Sequence, residues 1–85
     1  MNSYPELIDA KDYGVITFDT THYAVKAEVV LAGAGLRFLL IPTPRRISAS
    51  CGMAVKCFWD EREALLETLT NNTVRWQGLH HIQKG

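Results

Sequence analysis

Cys51 and Cys57 are the two thiols of the chain, and the stretch PRRISASCGMAVKC that holds them, from Pro44 to Cys57, sets two arginines and two serines ahead of the first. A thiol becomes a useful nucleophile when cations or a helix N-terminus lower its pKa and when solvent reaches it. Arg45 and Arg46 offer the cations, Ser48 and Ser50 offer hydrogen bonds to a thiolate, and Gly52 leaves the backbone beside the sulfur uncrowded. This pattern suits nucleophilic sulfur chemistry at Cys51. The alternative is that Cys51 is a small buried residue at a strand entrance, since free cysteine is among the most buried residue types. Residue types alone leave both readings open.

The two cysteines do not read as a pair. Six positions apart on one strand, at roughly 3.3 Å per residue, they are separated by about 20 Å, whereas a disulfide needs Cα atoms within about 7 Å. On a helix the rise is about 9 Å and the side chains point in different directions. Cys57 alternates with Met53, Val55 and Trp59, as a core residue does. A metal site built from Cys51, Cys57, His80 and His81 has none of the usual zinc spacings, and His80 and His81 point to opposite faces of a strand. The remaining metal reading is a partial site of Cys57 with one histidine. No Gly-rich phosphate loop, Ser-His-Asp order or paired carboxylates are present in the sequence, and neither cofactor nor metal is expected.

Such chemistry needs a frame, and 85 residues supply one small domain. Nine basic and nine acidic side chains give zero net charge, so no overall field draws in nucleic acid or an anionic membrane. The opening MNSYPELIDAKDYG carries two acids before Lys11 and no apolar h-region, which argues against a secretory signal, and no apolar run is long enough to span a bilayer. A cytoplasmic protein with reduced cysteines is the expectation.

Residues 1–12 read as a polar lead-in with one helical turn around Glu6 to Ala10. Tyr13 to Asp19 alternates as a strand. Asp19, Thr20 and Thr21 offer N-cap oxygens to a helix whose apolar side is Tyr23, Ala27, Val30, Leu31 and Ala34, closed by Gly33 and Gly35. Leu36 to Pro42 is a second strand. Met53 to Trp59 reads as a third, with a short helix as the alternative. Asp60 and Glu63 resemble a capping box opening a second helix that ends at Asn71-Asn72. Val74 to Ile82 reads as the last strand, with Gly78 as a bulge.

The order βαββαβ predicts an α+β, ferredoxin-like split βαβ fold over residues 13–83, with a four-stranded antiparallel sheet and two helices on one face. The other face is then open unless a second chain packs on it, so a homo-oligomer is expected. This topology places the start of the third strand at the end of the sheet where the first strand ends and the first helix begins. Cys51 is thereby expected beside Thr20, Thr21 and His22, with Cys57 at the opposite end.

The runs FDTTHYAVKAE (Phe18 to Glu28) and LIPTPRRISASCG (Leu40 to Gly52) resemble the selenium/sulfur carrier protein-like family of small bacterial proteins, and the resemblance covers Tyr13 to Ile82. It implies that Cys51 is the carrier thiol and that Arg45, Ser48, Ser50 and Gly52 are its setting. Arg46 makes the site more basic than that pattern requires, which suits an anionic persulfide. The reading that follows is a carrier rather than a turnover enzyme. An exposed loop cysteine, flanked by Arg45, Arg46 and His22 and without a resolving thiol, accepts sulfur or selenium from a donor protein as a persulfide or selenosulfide. It then hands the atom to an acceptor protein. The alternative from another class is a non-catalytic interaction or regulatory module that docks or dimerises through its open sheet face, with Cys51 structural.

Overall fold

The computed structural model of the chain describes residues 4–47 and 51–84. In chain order the elements are α1 (Pro5–Ile8), β1 (Asp12–Thr17), α2 (Thr21–Gly33), β2 (Leu39–Pro42), β3 (Met53–Phe58), a 3₁₀ turn (Trp59–Glu61), α3 (Arg62–Asn71) and β4 (Gly78–Gln83). The strands form one antiparallel sheet in the order β2-β3-β1-β4. This is the α+β ferredoxin-like arrangement, and residues 53–58 are strand, not helix. No described helix is long and apolar enough to cross a membrane.

Alternation along β1 builds two cores. Ile16, with Phe18 just beyond the strand, joins Val55 and Cys57 of β3, Ala24, Ala27 and Leu31 of α2, and Leu65 and Leu69 of α3 in the main cluster. Tyr13 and Val15 point the other way, into a second cluster with Ala54, Ile47 and Ile82. Gly14 lies in the middle of a row, paired with Cys57 on one side and His81 on the other. A Cβ there would come within 3.2 Å of Cys57 Sγ and 3.4 Å of the Trp59 ring, so glycine lets these side chains close over β1.

The second face, expected to be open, is covered by the chain itself. Val15 and Ala54 are fully buried there, Ile47 and Ala10 pack against them, and Leu7 of α1 is inaccessible to solvent. Lys56 on that face of β3 donates from Nζ to the Ile8 carbonyl at 3.2 Å, fastening the end of α1 to the sheet. The observation removes the reason for expecting a second chain on this surface.

Both long helices end in the same closure. Gly35 has φ +72°, its N–H bonds the Ala32 carbonyl at 3.1 Å, and the Leu36 N–H bonds the Leu31 carbonyl at 3.2 Å. Thr73 has φ +60°, with its N–H on the Thr70 carbonyl at 3.1 Å and the Val74 N–H on the Leu69 carbonyl at 2.9 Å. These are Schellman motifs, which recruit the first residues after the helix. Leu36 and Val74 therefore finish helices instead of starting strands; β2 begins at Leu39 and β4 at Gly78. Pairing runs unbroken from Thr17↔Gly78 to Asp12↔Gln83, so Gly78 is not a bulge.

Thr73 does in the second closure what glycine does in the first, against the steric preference of a β-branched residue. Thr73→Gly is expected to raise stability by about 1 kcal/mol, read as a melting temperature higher by about 4–8 °C.

The capping box at Asp60 and Glu63 does not form. A 3₁₀ turn precedes α3, which starts at Arg62 with no side-chain cap at Glu61. Glu61 is instead held by the Arg37 guanidinium through two hydrogen bonds, while Arg37 also lies 4.4 Å from the Phe58 ring centre. The Arg37 pair commits the acidic side chain at the N-cap to the tertiary structure.

Candidate functional site

One end of the sheet gathers the β1–α2 connection, the start of α2, the β2–β3 loop and the end of α3. Antiparallel pairing forces this grouping, because β1 and β2 end where β3 and β4 begin. Cys51 belongs to this end. Its Sγ accepts the Met53 N–H at 3.4 Å and lies 3.8 Å from Oγ1 of Thr21, the first residue of α2. Thr20 caps the same helix, its side chain accepting the Tyr23 N–H at 3.3 Å.

Thr43 fastens the base of the loop. Its hydroxyl donates to the Cys51 carbonyl at 2.9 Å and its N–H donates to the Gly52 carbonyl at 2.9 Å. These bonds continue the β2–β3 ladder beyond Pro42↔Met53 and fix the backbone on both sides of the sulfur.

Cys51 is not the exposed loop cysteine expected from the sequence: it is only 4% accessible and belongs to the main core cluster. The reason is register. Met53, Val55 and Cys57 direct their side chains toward the helices, and Cys51 continues that odd-numbered series one step beyond the strand. The parity was available in the sequence and would have pointed the thiol inward.

Arg45 and Arg46 are exposed in a tight turn closed by the Ile47 N–H on the Pro44 carbonyl at 3.0 Å. Ile47 anchors this turn by burying its side chain in the second cluster. His22 is exposed on α2, its ring edge-on to Tyr23 at 5.4 Å, and among the described residues it makes no hydrogen bond to Cys51. Gly52 is exposed and serves through its carbonyl. Ser48 and Ser50 lie outside the described residues. Thr43 was missed as a neighbour of the thiol: its place between two prolines marked a turn without showing which carbonyls it would take. Thr21 was expected nearby, though only as a helix-capping residue.

An N–H donor, a hydroxyl and the start of a thirteen-residue helix converge on one sulfur. The arrangement gives the sulfur a backbone N–H donor and a hydroxyl neighbour beside the first turn of α2.

Cys57 lies near the other end of the sheet, opposite Gly14, and both thiols are free. Burial pushes the Cys57 thiol up to about 11. This raised value makes the folded state hold its proton after the unfolded chain has lost it. The associated stability is present below about pH 9 and is lost as pH climbs toward 11. The expected loss is about 2 kcal/mol, on the order of the shift converted to free energy. Denaturant titrations from neutral pH to pH 11 should show a shallower decline for Cys57→Ala than for the parent.

His81 shares its face with Cys57 but stacks on Trp59 at 3.7 Å and hydrogen-bonds Asp12. Among the described residues no three His, Cys, Asp or Glu side chains are grouped to hold a metal ion.

A family model described as "Putative Se/S carrier protein-like" matches residues 13–81. That span includes both strands that flank the Cys51 loop, the start of α2 and the whole loop. A search of the curated proteins finds no match.

Proposed function

The chain belongs to the Se/S carrier protein-like family, and from that premise we propose that Cys51 is its carrier thiol. It takes up sulfur or selenium from a donor protein and passes it to an acceptor protein in the reducing cytoplasm. The supporting observation is the surroundings of Sγ: the Met53 N–H at 3.4 Å and the Thr21 hydroxyl at 3.8 Å, at the start of α2.

In the uptake step the Cys51 thiolate attacks the terminal sulfur of a donor persulfide. A bond from Sγ to that sulfur forms, the donor's own S–S bond breaks, and the electron pair leaves on the donor thiolate. Delivery is the same displacement with an acceptor thiolate attacking the terminal sulfur and Cys51 as the leaving group. Selenium follows the same course with a selenium atom in the terminal position. Cys57 is too far along β3 to attack Sγ and release the cargo as a disulfide, so Cys51 works as a carrier without a resolving partner. Arg45 and Arg46 belong to the loop that leads to Cys51 and add positive charge to that end of the fold.

The test is intact-mass spectrometry of the native protein after incubation with a cysteine desulfurase and cysteine, across parent, Cys51→Ser and Cys57→Ala chains. The expected result is a sulfur-sized adduct on the parent and Cys57→Ala chains and none on Cys51→Ser. Equal labelling of Cys51→Ser would end the carrier reading.

The 4% accessibility of Cys51 favours a second reading. In it the thiol is structural and the domain is a non-catalytic interaction module. That reading expects no adduct on any chain and alkylation of Cys51 only at the rate of unfolding.

A further inference from the structure

The two ends of the fold use their cations differently. At the end away from Cys51, four of the five cations are occupied within the molecule, and Lys11 is exposed. Arg37 binds Glu61 and faces Phe58, and Arg62 donates to the Trp59 carbonyl and covers its ring at 4.0 Å. Lys56 donates to Ile8 and lies over Tyr13 at 4.1 Å, and Lys84 faces the same ring at 5.8 Å. At the Cys51 end, Arg45 and Arg46 are exposed and make no ion pair among the described residues. Arg75, in the α3–β4 loop, is 71% exposed in its side chain and among the described residues forms an ion pair only with Asp19, at 3.9 Å.

The same end carries an open groove of about 330 Å³, lined by Thr70, Thr73, Val74, Arg75 and Trp76. Trp76 stands at its edge with 36% of its surface exposed, its indole N–H 3.4 Å from Thr70 Oγ1. The final carbonyls of α3 at Thr68, Leu69 and Thr70 are already taken by N–H groups of residues 72–74. The groove therefore presents an aromatic and aliphatic surface bordered by a guanidinium.

We propose that this end is a docking surface for an acidic protein surface bearing an apolar side chain. Arg45, Arg46 and Arg75 meet the partner's carboxylates, and the groove beside Trp76 receives the apolar group. Exposed arginine and tryptophan are the residue types that carry binding energy at interfaces, and charge complementarity sets approach and orientation. Three exposed arginines, on a chain of zero net charge, fit a protein face better than a polyanion, whose binding draws on many phosphate contacts. The inference rests on the carrier reading in one respect: it identifies this partner as the protein that exchanges sulfur with Cys51.

The test separates docking from sulfur chemistry by using the Cys51→Ser chain. In it, Trp59→Phe leaves Trp76 as the reporter, titrated with a short synthetic peptide of alternating glutamate and leucine. The Trp76 indole N–H resonance in the Cys51→Ser chain that keeps Trp59 gives the same reading if the double variant does not fold. The expected result is a saturable change at Trp76 that weakens about tenfold in Arg45→Glu/Arg46→Glu and also weakens as salt rises. Lys11→Glu/Lys84→Glu at the far end should leave it unchanged. The proposal is overturned if the acidic peptide does not bind, if a lysine-leucine peptide or poly(dT) binds as well, or if the far-end reversal weakens binding equally. These outcomes are independent of sulfur loading at Cys51, so the docking surface and the carrier reading can fail separately.

Discussion

Phe18→Ala is expected to remove about 3–5 kcal/mol from the stability of the fold, the usual range for deleting a fully buried aromatic ring. Phe18 is completely inaccessible and sits in the cluster that contains Cys51, Phe38 and Val55. For a chain of this length, total stability is about 4–13 kcal/mol, so the loss is a large share of the whole. Denaturant unfolding should show a lower midpoint with an unchanged slope. The variant also tells how Cys51 becomes accessible. If the sulfur is reached only through global unfolding, its alkylation in the native chain should accelerate by about a hundredfold or more, the rate equivalent of 3 kcal/mol. If the loop opens locally, the rate should change far less. Cys57, buried and with a raised pKa, reports global unfolding in the same mass spectra.

Leu7→Ala is the second large expectation, at about 2–5 kcal/mol for a buried leucine. Leu7 lies in a four-residue helix within a lead-in that is otherwise mostly exposed. Its replacement should loosen α1 from β3 and uncover the second cluster around Tyr13 and Val15. Sedimentation should then detect more self-association than in the parent, since an uncovered apolar sheet face seeks another surface. A midpoint within about 0.5 kcal/mol of the parent, the range of ordinary surface substitutions, would show that α1 does not contribute to the core.

The sheet was legible because its strands alternate cleanly and because βαββαβ leaves few topologies. That topology was enough to bring Cys51 to Thr21 before any coordinates. The lead-in was not legible: a single buried leucine among polar residues has no period to detect. Val74 and Leu36 looked like strand starts because they are apolar, yet their N–H groups were claimed by helix closures that depend on the backbone of Gly35 and Thr73. The capping box failed for a tertiary reason. Glu61, one residue into the predicted cap, found Arg37 across the sheet edge. Burial of Cys51 followed from strand parity, which the loop-centred view of its arginines and serines obscured.

The bonds from Thr43 to Cys51 and Gly52 close the β2–β3 loop at its neck, and Ile47 pins it partway along. The arginine pair thus lies on a stretch whose ends are held independently of what it says. Lengthening a flexible loop is inexpensive, about 0.6 kcal/mol for each doubling. Natural variation could therefore rewrite the charges on this loop, and with them the choice of partner, while the sulfur kept its place. On the carrier and docking proposals, recognition and cargo sit on separately held parts of one loop, so that recognition can evolve at little risk to the fold.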